Sequence, residues 1–345
     1  MNDYWKALAK RSAITVGLEA SALLSTLTRA AGDRGRGAIF TLHHVRPWEK
    51  KAFHPNDLLE ITPDFLDVTL QTLGQEGYEF ISLDDVPARL ARDAGRPFAC
   101  FTLDDGYRDN AAYAADVFTR HGAPFTIFLT GGFVDATRSM WWETLEAVLS
   151  RNDSLPYDFG NGAEMLAAGT VRDKSAAFNR IAAHINTSDE LEAIAALDDA
   201  ATRLGTDPLG ITADLTMRQD ELAALLANPL AAYGAHTMTH RGIARLTAAQ
   251  SEAEIADSVA VVAAITGRRP VAFAYPYGDA RSVAPRERQT LRDLGLIGLT
   301  TRPGTLRAGM AADMTALPRI SLNGLYQKAR YVRALASGIP FRLTG

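Results

Sequence analysis

An α/β fold, in the form of a distorted or incomplete (β/α) barrel with a helical insertion, is what the sequence predicts, on three observations. After Gly37 the chain alternates short apolar, β-branched or aromatic runs with longer segments of helical period, the pattern of parallel strands joined by crossover helices. Glycines follow the helical segments at Gly77, Gly95, Gly122, Gly267 and Gly295, where a left-handed residue ends a helix at least cost. Residues 140–215 break the rhythm with Ala, Leu, Asp and Glu at helical spacing and no convincing strand, so they read as an excursion from one barrel loop.

Taken in order, residues 4–31 set Tyr4, Trp5, Leu8, Ile14, Val16, Leu18, Leu23, Leu24 and Leu27 among scattered Lys and Arg, which suggests an amphipathic helix. Its expected seat is the protein's own body, with a membrane surface or a partner's groove as the alternatives. Gly32, Gly35 and Gly37 then disfavour regular structure and end a 1–37 arm. The barrel is expected over 38–325, with strands at 38–45, 79–83, 98–103, 124–130, 231–235, 271–275, 297–301 and 317–321. Helices are expected at 63–75, 84–93, 110–120, 248–265 and 285–294, and a tail at 326–345. There is no internal repeat and no low-complexity tract.

Composition narrows the function classes. The chain has 345 residues, 47% of them hydrophobic and 22% charged, as ordinary globular proteins do. Its formal charge of -4 argues against a nucleic-acid surface as the organising feature. The single cysteine, Cys100, lies in an apolar run with no partner for an intrachain disulfide and reads as inert core. No stretch of about 18 apolar residues suits a spanning helix. Residues 1–10 lack the features of a secretory signal, so a cytoplasmic setting is expected.

Three clusters carry chemistry. Phe101-Thr-Leu-Asp-Asp-Gly-Tyr107 ends an apolar strand in two adjacent carboxylates, a costly ending at the edge where barrels build active sites. An Asp-Gly turn with a helix N-cap is the plainer alternative. Tyr233-Gly-Ala-His-Thr-Met-Thr-His240 places two imidazoles four residues apart, on one face of a helical turn if the segment is helical, where both reach one ion. Asp104 or Asp105 would complete a carboxylate and two-histidine set with open positions. Phe273-Ala-Tyr-Pro-Tyr-Gly-Asp279 ends a strand in aromatics, proline and glycine, either a wall for a sugar ring or a packed turn.

Together, and in this order, the clusters resemble the polysaccharide deacetylase family, also called the NodB-homology or carbohydrate esterase family 4 group. Thr102-Leu-Asp-Asp-Gly106 is similar to its Thr-Phe-Asp-Asp-Gly motif, His236-Thr-Met-Thr-His240 to His-Ser/Thr-x-x-His, and Ala274-Tyr-Pro-Tyr-Gly278 to Arg-Pro-Pro-Tyr-Gly. The resemblance covers roughly residues 38–321 without the insertion. It implies a barrel of the NodB-homology type, a catalytic base at Asp104, and a divalent ion on Asp105, His236 and His240. That ion would be zinc by first expectation, with cobalt, nickel or iron suiting the same ligands. It also implies an oxyanion contact at Tyr277, a saccharide wall of Tyr275 and Pro276, and as substrate an acetylated amino-sugar oligosaccharide or polysaccharide. The reaction implied is N-deacetylation, with O-deacetylation or a non-catalytic carbohydrate-binding role as alternatives.

Two departures bear on the reading. Ala274 stands where many members carry an arginine that pairs with the catalytic Asp, and Leu317-Pro-Arg-Ile320 stands in place of a Leu-x-His motif bearing the acid. His44 is the expected substitute acid, by analogy with a branch that draws its acid from the first strand. His43 competes, since strand neighbours point oppositely. Arg319 or Arg302 would replace the missing arginine. In Trp141-Trp142-Glu143 either tryptophan could line a saccharide groove, Trp141 being the one assigned, or simply pack. His54, His121 and His184 have no motif context and read as structural or surface residues.

Overall fold

The computed structural model describes residues 14–24, 35–92 and 95–343. Strand β1 (Gly37–Leu42), the short β4 (Glu79–Phe80), β5 (Phe98–Leu103), β6 (Phe125–Leu129), β9 (Ala231–Ala235), β10 (Ala272–Ala274), β11 (Ile297–Leu299) and β12 (Ile320–Ser321) form one sheet. Seven of them run in the order β11-β10-β9-β6-β5-β1-β12, with β4 beside β5. Every pairing is parallel. A further parallel bridge joins Leu299 to Leu317. The segment entering β12 therefore touches β11 at its start and β1 at its end, which draws the sheet's two edges together into the expected distorted barrel.

Strand parity sorts the core. Phe40, Leu42, Phe101, Leu103, Phe125 and Ile127 face outward onto helices, meeting Leu66, Leu70, Phe118 and Ile255. Ile39, Cys100, Phe128, Ala274, Leu299 and Leu317 fill the interior. Burial pushes the Cys100 thiol up, consistent with inert core.

The helices begin where their caps predict. Pro63–Gln75 starts on Thr62, whose side chain accepts from Phe65 N, with Pro63 in the first turn. Ala248–Thr266 has a Thr247/Gln250 capping box and ends at Gly267 with φ 72°. Residues 110–120 open with a π turn, Asn110–Ala114, before the α-helix Ala115–Arg120. The C-terminal helices Ala329–Ala336 and Ile339–Leu343 return to the body, where the Tyr78 hydroxyl donates to Ala336 O. Of the arm, residues 14–24 are helical; Leu18, Ser21 and Ala22 are buried and Glu19 pairs with Arg330, whereas Ile14, Val16, Leu23 and Leu24 are exposed. The remainder of the 4–31 expectation lies outside the described residues. Among them, no helix is long and apolar enough to cross a membrane.

Two strand expectations are corrected. The 38–45 run divides after Leu42, because Asp109 accepts from Val45 N at 3.0 Å and Asn110 donates to His43 O at 2.8 Å. These bonds draw β2 (His44–Val45) away from the barrel to pair with β3 (Glu60–Ile61). The insertion is not wholly helical: β7 (Ser154–Asp158) and β8 (Ala163–Ala167) make an antiparallel hairpin. Its turn is held by Asp158 Oδ1, which accepts from Gly160 N and Gly162 N. Leu155 and Tyr157 point inward from it onto the insertion's own core, together with Leu145, Ile181, Ile185 and Leu197. The helices Trp141–Arg151, Val171–Thr187, Glu190–Arg203 and Pro208–Leu215 complete this unit.

Candidate active site

The site lies at the C-terminal ends of β5, β9 and β10, where the chain leaves each strand through left-handed backbone. Asp105 has φ 75°, Thr237 66°, His240 55° and Tyr277 60°, four non-glycine residues in a region that costs roughly 1–3 kcal/mol to occupy. Gly278, φ 64°, admits no side chain: a Cβ there would come within 2.3 Å of Thr301 N. Such geometry turns side chains that a strand or helix would spread apart toward one point.

The structure brings Asp105, His236 and His240 together, with one ligand atom from each lying within 4.8 Å of the others. The histidines do so through an irregular loop and not along the helical turn expected from their spacing. Glu254 holds that loop, accepting from Met238 N and Thr239 N at 2.8 and 3.0 Å. Thr237 Oγ1 accepts from His240 N.

The donor chemistry fits a cation. His236 Nδ1 donates to Ala274 O at 2.7 Å, which leaves Nε2 as a lone pair directed at Asp105 Oδ1, 3.6 Å away. Burial pushes the His236 pKa down to about 4, so the ring is neutral. Asp105 Oδ1 is 3.3 Å from His240 Nε2 and, among the described residues, has no hydrogen-bond partner despite its burial. Asp105 Oδ1 and His236 Nε2 are acceptors facing one another out of water, a costly arrangement without a proton or ion between them. A cation on the three relieves that cost.

Asp104 is held differently. Arg319, 1% exposed, donates Nη1 to Asp104 Oδ1 at 2.8 Å and Nη2 to Oδ2 at 2.7 Å, a bidentate pair. The guanidinium is fixed by Nε to Thr300 O and by Nη1 to Thr102 Oγ1. Burial opposes ionisation of Asp104, yet Arg319 holds its carboxyl well below the usual carboxylate range. Of the two arginines weighed for this place, Arg319 occupies it, while Arg302 reaches toward Ala316 O at the surface.

The two histidines of the first strand part company. Ile39 and Thr41 face the interior, and Thr41 Oγ1 points to Asp104 Oδ2 at 3.4 Å. His43 shares their parity and lies in the field of Asp104 and Asp105; burial is the larger influence and lowers its pKa. His44 turns the other way. Its Nδ1 is 2.5 Å from Asp109 Oδ2 and its Nε2 3.5 Å from Glu143 Oε1. Burial works against its charge, but Asp109 and Glu143 prevail and raise its pKa to about 9. Both ring nitrogens of His44, the residue expected to be the acid, face the carboxylates of Asp109 and Glu143, whereas its competitor His43 lies in the field of Asp104 and Asp105.

Two further expectations change. Tyr275 is buried, with its hydroxyl donated to Thr315 O and its ring on Phe273. Pro276 is buried in the turn, its carbonyl taken by Gly278 N and Ser282 Oγ. Neither presents a face to a sugar, because β10 directs Tyr275 outward under the helices. Tyr277 does face the site, its ring 5.2 Å from His240, and its N–H is bonded to no acceptor among the described residues.

The insertion supplies the rest of the wall. Trp141 Nε1 donates to Tyr277 OH at 3.1 Å, and Trp142 Nε1 to Tyr107 OH at 2.9 Å. Trp142 and Phe133 flank His240 at 5.0 and 5.5 Å between rings. Glu190 accepts from Gly242 N, and Arg281 stacks on Tyr277 while bonding Asn186. Tyr107, Asp109, Phe133 and Glu190 escaped the sequence reading. Tyr107 and Asp109 directly follow the Asp-Asp-Gly motif and could have been found there; Phe133 and Glu190 leave no local signal. His54 pairs with Glu60, His121 with Asp67, and His184 packs on Tyr157 and Phe159, as structural residues do.

Against known proteins, the family model described as polysaccharide deacetylase matches residues 91–158 and 176–298. No curated protein sequence matches the chain. The fold is similar to that of the Streptococcus pyogenes deacetylase PplD, solved in complex with acetate, at TM-score 0.55 and 16% identity over 84% of this chain and 92% of that one. It is also similar to IcaB from Ammonifex degensii, at TM-score 0.54 and 17% identity over 87% and 98% of the two chains.

Proposed function

The chain belongs to the polysaccharide deacetylase family, and from that premise we propose that it removes N-acetyl groups from an amino-sugar oligosaccharide or polysaccharide with the help of a divalent cation. The observation that carries the reading is the division of labour between two adjacent carboxylates. Asp104 is locked as an anion by Arg319, and Asp105 joins two imidazoles in a set of donors that suits a cation.

A divalent ion held by Asp105, His236 and His240 would supply Lewis acidity, acidifying water and polarising the acetyl carbonyl. Asp104 takes the proton of the attacking water as its oxygen bonds to the carbonyl carbon. Arg319 keeps Asp104 ionised and aimed. The N–H of Tyr277 is a donor for the oxygen that gains charge. His43 delivers a proton to the nitrogen as the C–N bond breaks, leaving acetate and a free amine. Burial disfavours a standing charge on His43, so the proton it delivers is one that Asp104 has taken from the attacking water and passes on, which returns both groups to their starting states.

Acetate release from N-acetylglucosamine oligomers, before and after chelation and on re-addition of zinc, cobalt, nickel or iron, tests this. The reading requires activity that disappears with the metal and returns with at least one of the four. Activity indifferent to chelation, with the ion shown to be gone, would sink the role of the triad. No acetate from any acetylated saccharide at full metal occupancy would sink the hydrolytic reading.

A further inference from the structure

The proposed chemistry gives the helical insertion no task beyond walling the site, yet one of its corners reaches both loops that carry the reacting groups. The corner joins the helices Val171–Thr187 and Glu190–Arg203. In the second helix the buried face consists of Glu190, Ala193, Leu197, Ala200 and Ala201, the spacing of an apolar stripe but with a carboxylate at its head. Glu190 is 5% exposed, and charged side chains are almost never buried so fully unless paired.

What Glu190 pairs with is the metal-ligand loop. Its Oε2 accepts from Gly242 N at 2.9 Å, two residues beyond His240, and lies 3.9 Å from Arg245 Nη1. Around this bond Arg245 donates to Asn186 O and Ser188 O, and Arg281, in the loop after Tyr277, donates to Asn186 Oδ1. Arg281 O in turn accepts from Ala244 N at 2.9 Å, so the corner and the two loops form one closed set of bonds. Burial is the larger influence, and the Glu190 carboxylate the next, in pushing the Tyr277 hydroxyl pKa up.

His240 sits in left-handed backbone, φ 55°, a conformation that persists only where its surroundings hold it. On the near side the barrel does so, through Glu254 on Met238 N and Thr239 N. On the far side the insertion does so, through Glu190 on Gly242 N. We infer that Glu190 is a positioning residue: through Gly242 it keeps His240 in place beside Asp105 and His236, so affinity for the ion depends on a residue that never touches it. The inference rests on the reading of those three residues as cation ligands and not on the hydrolytic step. A loop held at both ends loses less freedom when an ion arrives. The coupling is reciprocal, so an ion that tightens the loop also tightens the corner of the insertion.

Zinc affinity of the full chain, measured by competition with a chelator of known affinity, tests the inference in Glu190→Ala, Glu190→Gln and Leu155→Ala. Glu190→Ala removes the acceptor and is expected to weaken zinc binding about tenfold, the lower end of the loss when an outer partner of a metal site is removed. Glu190→Gln keeps a carbonyl oxygen for Gly242 N and is expected to recover most of that affinity. Leu155→Ala opens a void in the insertion core, away from the corner; it is expected to lower the thermal midpoint and leave zinc affinity unchanged. Amide hydrogen exchange gives a second readout, in which zinc slows exchange across residues 186–203 in wild type and not in Glu190→Ala. Equal zinc affinity in wild type and Glu190→Ala overturns the inference, as does a loss in Leu155→Ala as large as that in Glu190→Ala. Wild type that takes up none of zinc, cobalt, nickel and iron overturns the metal-site reading, and the inference with it.

Discussion

The mouth of the barrel and the insertion that covers it are ordered by different physics. At the mouth, side chains are fixed by strained backbone and buried charge, as the left-handed Asp105, Thr237, His240 and Tyr277 and the Arg319–Asp104 pair show. The insertion is ordered by apolar packing around Ile181, Ile185 and Leu197, all fully buried. Charge and strain give fixed direction at a cost in stability, whereas packing gives stability with little direction. The two meet where Trp141, Trp142 and Glu143 reach Tyr277, Tyr107 and His44.

The largest expected effect comes from breaking the mouth. Arg319→Met leaves Asp104 buried without its partner, and removal of one member of such a pair costs about 3–5 kcal/mol. Urea unfolding should show that loss, and acetate release should fall with it. A stable, active Arg319→Met variant would show that the pair does not order the mouth.

Next is the seam between the two regions. The His44 pKa is raised from its ordinary value near 6.5 to about 9. A raised pKa contributes stability that is fully present below about 6.5 and is lost as pH climbs through about 9. The loss is about 3 kcal/mol at most at 1.36 kcal/mol per unit. Unfolding free energies at pH 6 and pH 9.5 should differ accordingly, and His44→Gln should flatten the difference. An unchanged slope in that variant would remove His44 from the seam.

The smallest effect belongs to the insertion core. Ile181→Val deletes one buried methylene and should cost about 1 kcal/mol by unfolding, with kcat unchanged. A fall in kcat larger than the fall in stability would mean that insertion packing, too, sets direction at the site.

Legibility in the sequence follows the same division. Asp104, Asp105, His236 and His240 stood out because charged residues at strand ends are locally anomalous, and the barrel because period and glycine placement repeat. The helix at 63–75 was readable to the residue from Thr62 and Pro63. Strand alternation in the sequence says that His43 and His44 point to different sides, but which side is inward is set by Ile39 and Thr41 only in the folded sheet. Tyr275 and Pro276 were misread because an aromatic strand end looks the same whether it faces a groove or a helix layer. The β7–β8 hairpin was hidden by Pro156 and by the helical composition around it. Glu143 could not be placed, because its partner His44 is distant in sequence and neither residue is unusual where it stands.

Whether Asp104 is the base and not a metal ligand is tested most directly by Asp104→Asn, with bound metal and acetate release measured on the same sample. Metal should be retained near the wild-type level and acetate release lowered about 10²–10⁴-fold, the span of a lost general base. Metal lost together with activity, or activity kept with the metal, would contradict it.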